Sequence, residues 1–314
     1  MKDEFYFPSA DDITQIHVSM WKPEGEPAAI LQIIHGMREY IDRYEGFAEY
    51  LSEKGFLVAG NDHLGHGKSV ADENAYGFFS KKLGPDDVLA DIHTLRVKLE
   101  EKHPGIPYFM LGHSMGSALL RCYLTRHSEG LAGAIIMGSF TAPPAAVAVA
   151  QRLCRIDAGL HKWHHFSKLV DGLAAGGYNK KFKDPDTPVD WLSKNPENNR
   201  KYANDPLCNH PFTVNAYFGM FEALKQAEKV KNMENIRKDL PLLLVSGDED
   251  PVGHMGKDIP RIAKWYRDVK ITDVRAKLYK GDRHEILNEL DRKKVFQDLC
   301  DWLTERIEAG INKE

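Results

Sequence analysis

Ser114 lies in Gly112-His113-Ser114-Met115-Gly116, a G-x-S-x-G run. An apolar, β-prone stretch, Tyr108–Leu111, precedes it, and Ala118, Leu119, Leu120, Tyr123 and Leu124 follow at helical spacing. A serine squeezed between strand and helix sits on a sharp, strained turn that lifts its hydroxyl clear of the backbone. The flanking glycines suit that turn, because a Cβ would collide with the neighbouring strand or helix. A serine hydroxyl is a poor nucleophile at neutral pH. It needs a positioned base, and the base needs a third group to hold it. The motif alone also fits a glycine-rich turn without chemistry, so the rest of the chain has to decide.

The base is expected on a loop near the C-terminal end, and His284 in Gly281-Asp-Arg-His-Glu285 meets that requirement, just after the predicted strand Asp273–Tyr279. The orienting carboxylate is expected at the end of the preceding strand. There, Asp248, Glu249 and Asp250 follow Leu240–Ser246 directly. Asp250 is preferred, because a turn needs a few residues before a side chain can swing across to the next loop, and Pro251 fixes the exit. Asp248 is the second choice. The chain order is then Ser, Asp, His. A tetrahedral oxyanion also needs two backbone donors. The N–H of Met115, at a helix N-terminus, is one candidate. The other is Met37, in the turn His35-Gly36-Met37 that ends an earlier apolar run.

These residues need a scaffold, and the periodicity supplies one. Asp3–Pro8 and Ile13–Lys22 read as an antiparallel opening pair. Ala28–Ile34, Phe56–Ala59, Leu131–Met137 and Leu240–Ser246 read as buried strands. Between them fall amphipathic helices: one with Tyr44, Phe47, Ala48 and Leu51, stopped by Gly55, and one with Val88, Ile92, Leu95 and Leu99. A final helix carries Val295, Leu299, Trp302 and Leu303. Strands alternating with helices predict an α/β fold with a mostly parallel central sheet. One interval breaks the rhythm. About a hundred residues separate Ser139 from Leu240, where a crossover needs about a dozen. This predicts an inserted helical lid, 141–238, between two core segments, 1–140 and 239–314. Within it Ala145–Leu153, Leu160–Leu173 and Ala216–Val230 are the expected helices, separated by Gly176-Gly177, the Lys183–Pro188 turn and a polar patch at Asn195–Asn199.

The bulk numbers exclude several classes. At 314 residues and 42% hydrophobic, the chain can bury a sizeable core. A net charge of −4 gives no basic footprint, so nucleic acid is not an expected partner. Cys122, Cys154, Cys208 and Cys300 are far apart and read as reduced thiols. The first residues lack a secretory pattern, and no apolar run reaches the roughly 18 residues that span a bilayer, so a cytoplasmic protein is the expectation. His161, His164 and His165 beside Trp163 suggest a metal site. However, no cysteine or paired carboxylate accompanies them in the sequence, and that reading is set aside. His63 and His66, in the glycine-rich loop Gly60–Ser69, are expected to pack beneath the site. Substrate contacts are expected from His35, Gly36 and His113, and from the lid residues Tyr217, Phe218 and Phe221. The lid's apolar run Ala142–Ala150 allows at most transient contact with a membrane surface.

Five segments then carry a resemblance. His35-Gly36-Met37-Arg38-Glu39, Asp62-His-Leu-Gly-His-Gly-Lys-Ser69, Gly112-His-Ser-Met-Gly116, Gly247-Asp-Glu-Asp250 and His284 resemble, in order and spacing, the monoacylglycerol lipase/lysophospholipase branch of the α/β-hydrolases. That branch overlaps with the serine aminopeptidases. The resemblance covers both ends of the chain well and the lid loosely, and it departs at Ser117, where a second glycine is usual, and at Met37, which is larger than usual. It implies a Ser114–His284–Asp250 triad, an oxyanion hole at Met37 and Met115, no cofactor and no metal. The expected reaction is hydrolysis of a small-molecule carboxylic ester or lipid with an apolar acyl chain. Two alternatives stay open. An aminopeptidase or amidase would need a lid acid, such as Asp190 or Glu222, to hold a substrate amine. A receptor on the same fold would bind ligand without chemistry.

Overall fold

The computed structural model describes residues 1–174, 176–183 and 185–311. In chain order the strands are β1 (Lys2–Pro8), β2 (Gln15–Trp21), β3 (Ala29–Ile34), β4 (Phe56–Asn61), β5 (Tyr108–His113), β6 (Leu131–Met137), β7 (Leu242–Gly247) and β8 (Val274–Tyr279). The helices are α1 (Glu45–Glu53), α2 (Asp86–Lys102), α3 (Met115–His127), α4 (Pro144–His161), α5 (Lys168–Ala174), α6 (Pro196–Asn204), α7 (Val214–Ala227), α8 (Val230–Met233), α9 (Asp258–Asp268) and α10 (Arg292–Ile311). The strands form one sheet in the order β1-β2-β4-β3-β5-β6-β7-β8. β1 and β2 pair antiparallel, and β2 joins β4 antiparallel; every pairing from β4 to β8 is parallel.

The central strands are apolar on both faces because both faces are covered. Ile30, Ile34 and Met110 belong to one core with α2, α3, α7 and α9, while Leu31, Ile33, Phe109 and Leu111 belong to the other with α1 and α10. Parallel pairing also sends the loops after β3, β5, β6, β7 and β8 to one sheet edge, where open α/β sheets bind their ligands. The loops carrying His35–Met37, Ser114, Asp250 and His284 all lie there.

The interval between β6 and β7 differs in detail from the pattern reading. The expected Ala145–Leu153 helix is longer, running from Pro144 to His161 as α4. The expected Leu160–Leu173 helix does not form as one piece. Lys162 adopts φ 72°, which stops α4, and a new short helix, α5, starts only at Lys168. The polar patch at Asn195–Asn199 is the start of α6: the Asn195 side chain accepts from the Glu197 N–H, and Pro196 occupies the first helical position. Polarity all round the helix hid that cap-and-proline start. Asp184, within the expected Lys183–Pro188 turn, lies outside the described residues. The loop expected at Gly60–Ser69 begins two residues later, since Gly60 and Asn61 complete β4.

Candidate active site

Ser114 stands between the last residue of β5 and the first of α3 with φ 55° and ψ −121°, a conformation that non-glycine residues rarely hold. Its N–H donates to Met137 O at 3.0 Å, tying the turn to β6. The two glycines are steric necessities. A Cβ on Gly112 would stand 2.5 Å from Gly116 O, and one on Gly116 would stand 2.0 Å from Ile34 O. The helix therefore crosses the sheet edge at a separation that only glycine allows.

The acid and the histidine meet across two loops. His284 Nδ1 lies 2.9 Å from Asp250 Oδ2, and both side chains are buried. Asp250 is itself fixed, accepting from Ser246 Oγ at 2.7 Å and from the Val252 N–H at 2.9 Å. Burial pushes the Asp250 carboxyl up, but the imidazole and these donors outweigh it and hold the group below its ordinary value. With Nδ1 facing the carboxylate, His284 Nε2 is left buried without a hydrogen-bond partner among the described residues. Of the competing acids, Asp248 is otherwise engaged, its Oδ1 accepting from the Gly281 N–H at 2.6 Å, and Glu249 is exposed.

Beneath the turn after β3 lies a layer of buried histidines. The His63 N–H donates to His35 Nε2 at 2.9 Å, so His35 carries its proton on Nδ1 and donates it to Gly36 O at 2.8 Å. His63 Nε2 returns a bond to His35 O at 3.2 Å. This fixes Gly36, where a Cβ would stand 3.1 Å from Ser114 Cβ. Asp62 organises the loop that carries His63, accepting from the N–H groups of Ile41 and Lys68, each at 2.8 Å, and facing His17 Nδ1 at 2.9 Å.

Burial pushes His63 down to about 4 and holds His35 and His66 well below the ordinary imidazole value. A depressed folded value means the unfolded chain binds protons that the folded chain refuses. These groups therefore support stability above about 6.5 and withdraw that support as pH falls toward 4. His63→Asn is expected to flatten the decline of melting temperature between pH 7 and 4.5 relative to the unsubstituted chain. An unchanged slope would remove His63 from the acid response.

Sequence reasoning missed a second buried network. Glu39 Oε1 accepts from Gly36 N–H, from Tyr44 OH at 2.8 Å and faces His113 Nδ1 at 3.1 Å. Its other oxygen meets Arg43, whose guanidinium also grips Glu285 through bonds of 2.6 and 2.8 Å. Asn198, on α6, adds a bond to Glu285 at 2.8 Å. The far nitrogen of His113 faces His284 O at 3.2 Å, so both ring nitrogens point at acceptors. Burial opposes a charge on His113, but the Glu39 carboxylate outweighs it and raises the imidazole above its ordinary value. The network thus ties together the turn after β3, the residue before Ser114 and the backbone of His284. The local part of the network lies within Gly36–Tyr44, whereas His113, Asn198 and Glu285 are distant in sequence and gave no signal of belonging to it.

Residues 25–291 match the family model described as serine aminopeptidase, S33. The chain belongs to that family. It is similar to a monoacylglycerol lipase of Mycolicibacterium smegmatis, 27% identical over 308 residues, covering 93% of this chain and 94% of the relative. It is 26% identical over 292 residues to the monoglyceride lipase of Homo sapiens, covering 91% and 86% respectively. A crystal structure of a thermostable carboxyl esterase from Bacillus coagulans in complex with glycerol superposes with a TM-score of 0.90 at 30% identity, covering 98% of this chain and 99% of that one. The branch of the α/β-hydrolases that the motifs resembled is the one found.

In this S33 chain, two cavities open at Ser114. One, of about 450 Å³, has apolar walls from α4, α5 and α7, including Val147, Ala150, Leu173, Met220 and Phe221. The other, of about 380 Å³, is the more polar of the two: Arg38, Glu39, His113, Asp171, His284 and Glu285 line it together with apolar residues such as Val189 and Leu192. Met37, Ser114 and Trp191 line both, and Met115 lines the apolar one. Of the expected substrate contacts, Phe221 lines the apolar cavity, and Gly36 and His113 line the polar one. Tyr217, Phe218 and His35 line neither cavity. Tyr217 is buried and donates to Asp171 at 2.6 Å, Phe218 packs edge-on to Trp163, and His35 is held under the turn by His63. Trp191 packs on His284 with ring centroids 5.3 Å apart; its segment, Asp190–Ser193, resembles lid segments of bacterial lysophospholipases, but nothing in the sequence placed it against the histidine. At the departure from the family pattern, the Ser117 hydroxyl donates to Ser114 O at 2.6 Å and braces the turn.

Proposed function

We propose that this enzyme is a serine hydrolase of carboxylic esters with an apolar acyl chain, such as a monoacylglycerol or lysophospholipid. The observation that carries this reading is the position of Ser114 at the junction of an apolar cavity and a second one whose walls carry several charged groups. An ester of a fatty acid and a polar alcohol divides its two halves in the same way. His284 Nε2 takes the Ser114 proton as Oγ attacks the ester carbonyl, while Asp250 holds the imidazole tautomer and balances its charge. The oxyanion is received by the backbone N–H groups of Met37 and Met115. The imidazolium then protonates the leaving alcohol, and water activated by the same histidine cleaves the acyl-enzyme. Residues 141–238 act as a lid on a core of 1–140 and 239–314; support comes from α4 and α5, which wall the apolar cavity.

An aminopeptidase needs a free carboxylate for the substrate amine, and the neighbouring acids favour the ester reading. Asp171 faces Arg38 at 2.6 Å, and Glu39 and Glu285 share Arg43. Asp190 accepts from the backbone of Asp186 and Thr187, and Glu222 from Gln151 and Gln226. A series of p-nitrophenyl esters tests the proposal. kcat/KM is expected to rise up to about fourfold per added methylene until the apolar cavity fills, from roughly 0.8 kcal/mol per buried CH₂. Aminoacyl-naphthylamides are expected to be inert. Hydrolysis of the amides alone would overturn the ester assignment.

A further inference from the structure

Outside the candidate active site, one group of side chains has the composition of a metal centre. Asp157 and His161 stand one turn apart on the last turns of α4, and His165 lies in the turn that follows. One ligand atom from each can be chosen so that all three lie within 4.8 Å of one another. Asp157 Oδ1 is 2.6 Å from His165 Nδ1 and 3.5 Å from His161 Nδ1, and the two imidazoles are 4.4 Å apart between centroids. Ligand atoms on a tetrahedral zinc ion, bound at about 2.0–2.2 Å, sit roughly 3.3–3.6 Å apart, within the spread seen here. The sequence offered His164 as a third histidine and no carboxylate. The fold reverses both points. His164 turns away to stack on Phe78 with ring centroids 3.7 Å apart, and the helix brings Asp157 into the vacated role.

We propose that Asp157, His161 and His165 form a binding site for a divalent transition-metal ion of the zinc type. Two imidazoles and one carboxylate suit zinc better than magnesium or calcium, which take oxygen ligands. Three protein ligands leave a fourth position for water or another donor. The rest of the site is already anchored. His165 O accepts from the Val214 N–H at 2.9 Å, and Trp163 O accepts from the Asn215 N–H at 3.3 Å, so the His165 turn is fastened to the start of α7. A bound ion would therefore staple the end of α4 to a turn held by α7. Both helices wall the apolar cavity at Ser114. The ion takes no part in the hydrolytic step. It restrains the helices that shape the acyl-side wall, so its presence should register as added stability.

The test is calorimetric titration of Zn²⁺ into untagged, metal-stripped protein, run beside D157N, H161A and H165A variants. All three positions are partly or fully exposed and line neither cavity, so the variants should fold. The expected result is one saturable site, weakened at least tenfold by each substitution, with a rise in melting temperature on zinc addition that the variants lose. Co²⁺ should give the visible absorption of a four-coordinate N/O site in the unsubstituted chain and not in H165A. Two outcomes would overturn the proposal: no saturable binding, leaving only an Asp157–His165 hydrogen bond, or binding that all three variants retain, which would put the ion elsewhere. Labelling of Ser114 by a serine-reactive fluorophosphonate is expected to be the same with and without zinc, so this result and that of the proposed hydrolase reaction are read separately.

Discussion

Ser114→Ala is expected to lower kcat on esters by on the order of 10⁴–10⁶-fold and to abolish labelling by a fluorophosphonate. The expected size follows from the proposed role of the Ser114 hydroxyl as the attacking group, since the remaining groups could then only bind the ester and polarise its carbonyl. Alanine should fit the site. The Ser114 backbone keeps its bond to Met137 O, and Ser117 keeps its bond to Ser114 O. A melting temperature close to that of the unsubstituted chain is therefore expected, and it separates lost chemistry from lost folding. Labelling is the sharper readout, because it requires a reactive hydroxyl and no turnover. A chain that failed to label while folded would favour a receptor on this fold. Activity surviving in the variant would remove Ser114 from the reaction.

Asp250→Asn is expected to cost about 10⁴-fold in kcat, the scale seen when a triad carboxylate becomes an amide. The hydrogen bonds give the reason. The Val252 N–H can only donate, so it holds the amide oxygen where Asp250 Oδ1 now stands, at 2.9 Å. The amide nitrogen then faces His284 Nδ1 in place of a carboxylate oxygen. Ser246 can rotate its hydroxyl to accept from that nitrogen, so the variant keeps its local bonds. The imidazole cannot adapt so cheaply. It must carry its proton on Nε2 to accept on Nδ1, and a protonated Nε2 cannot take the serine proton. Asp248→Asn is the matched control, because an amide oxygen still accepts from the Gly281 N–H. It is expected to stay within about tenfold of the parent rate. Equal losses in the two variants would mean that Asp250 is only a structural residue.

The relation between sequence and structure differs from one residue to the next. Ser114 was legible because its turn is encoded within five residues, where two glycines meet steric demands set by adjacent elements. Asp250 was preferred over Asp248 from a local argument about the exit from a strand, and the structure sets Asp250 beside His284 while Asp248 caps a turn. α6 was not legible, because a helix with no apolar stripe gives no period to read. The break at Lys162 was equally hidden, since nothing about lysine favours a positive φ.

By itself the sequence determined the alternation of strands and helices, the parallel sheet and the strained turn at Ser114, because each depends on spacings of a few residues. It also supplied the order of the serine, acid and histidine along the chain. Only the tertiary structure decided which groups surround them. Glu39, His113, Arg43 and Glu285 form one network, Trp191 lies on His284, and Asp157 joins His161 and His165. A periodic pattern states which face of an element is apolar, whereas a polar contact between distant segments depends on the register and packing of both. Those are fixed only once the segments that carry them have packed together.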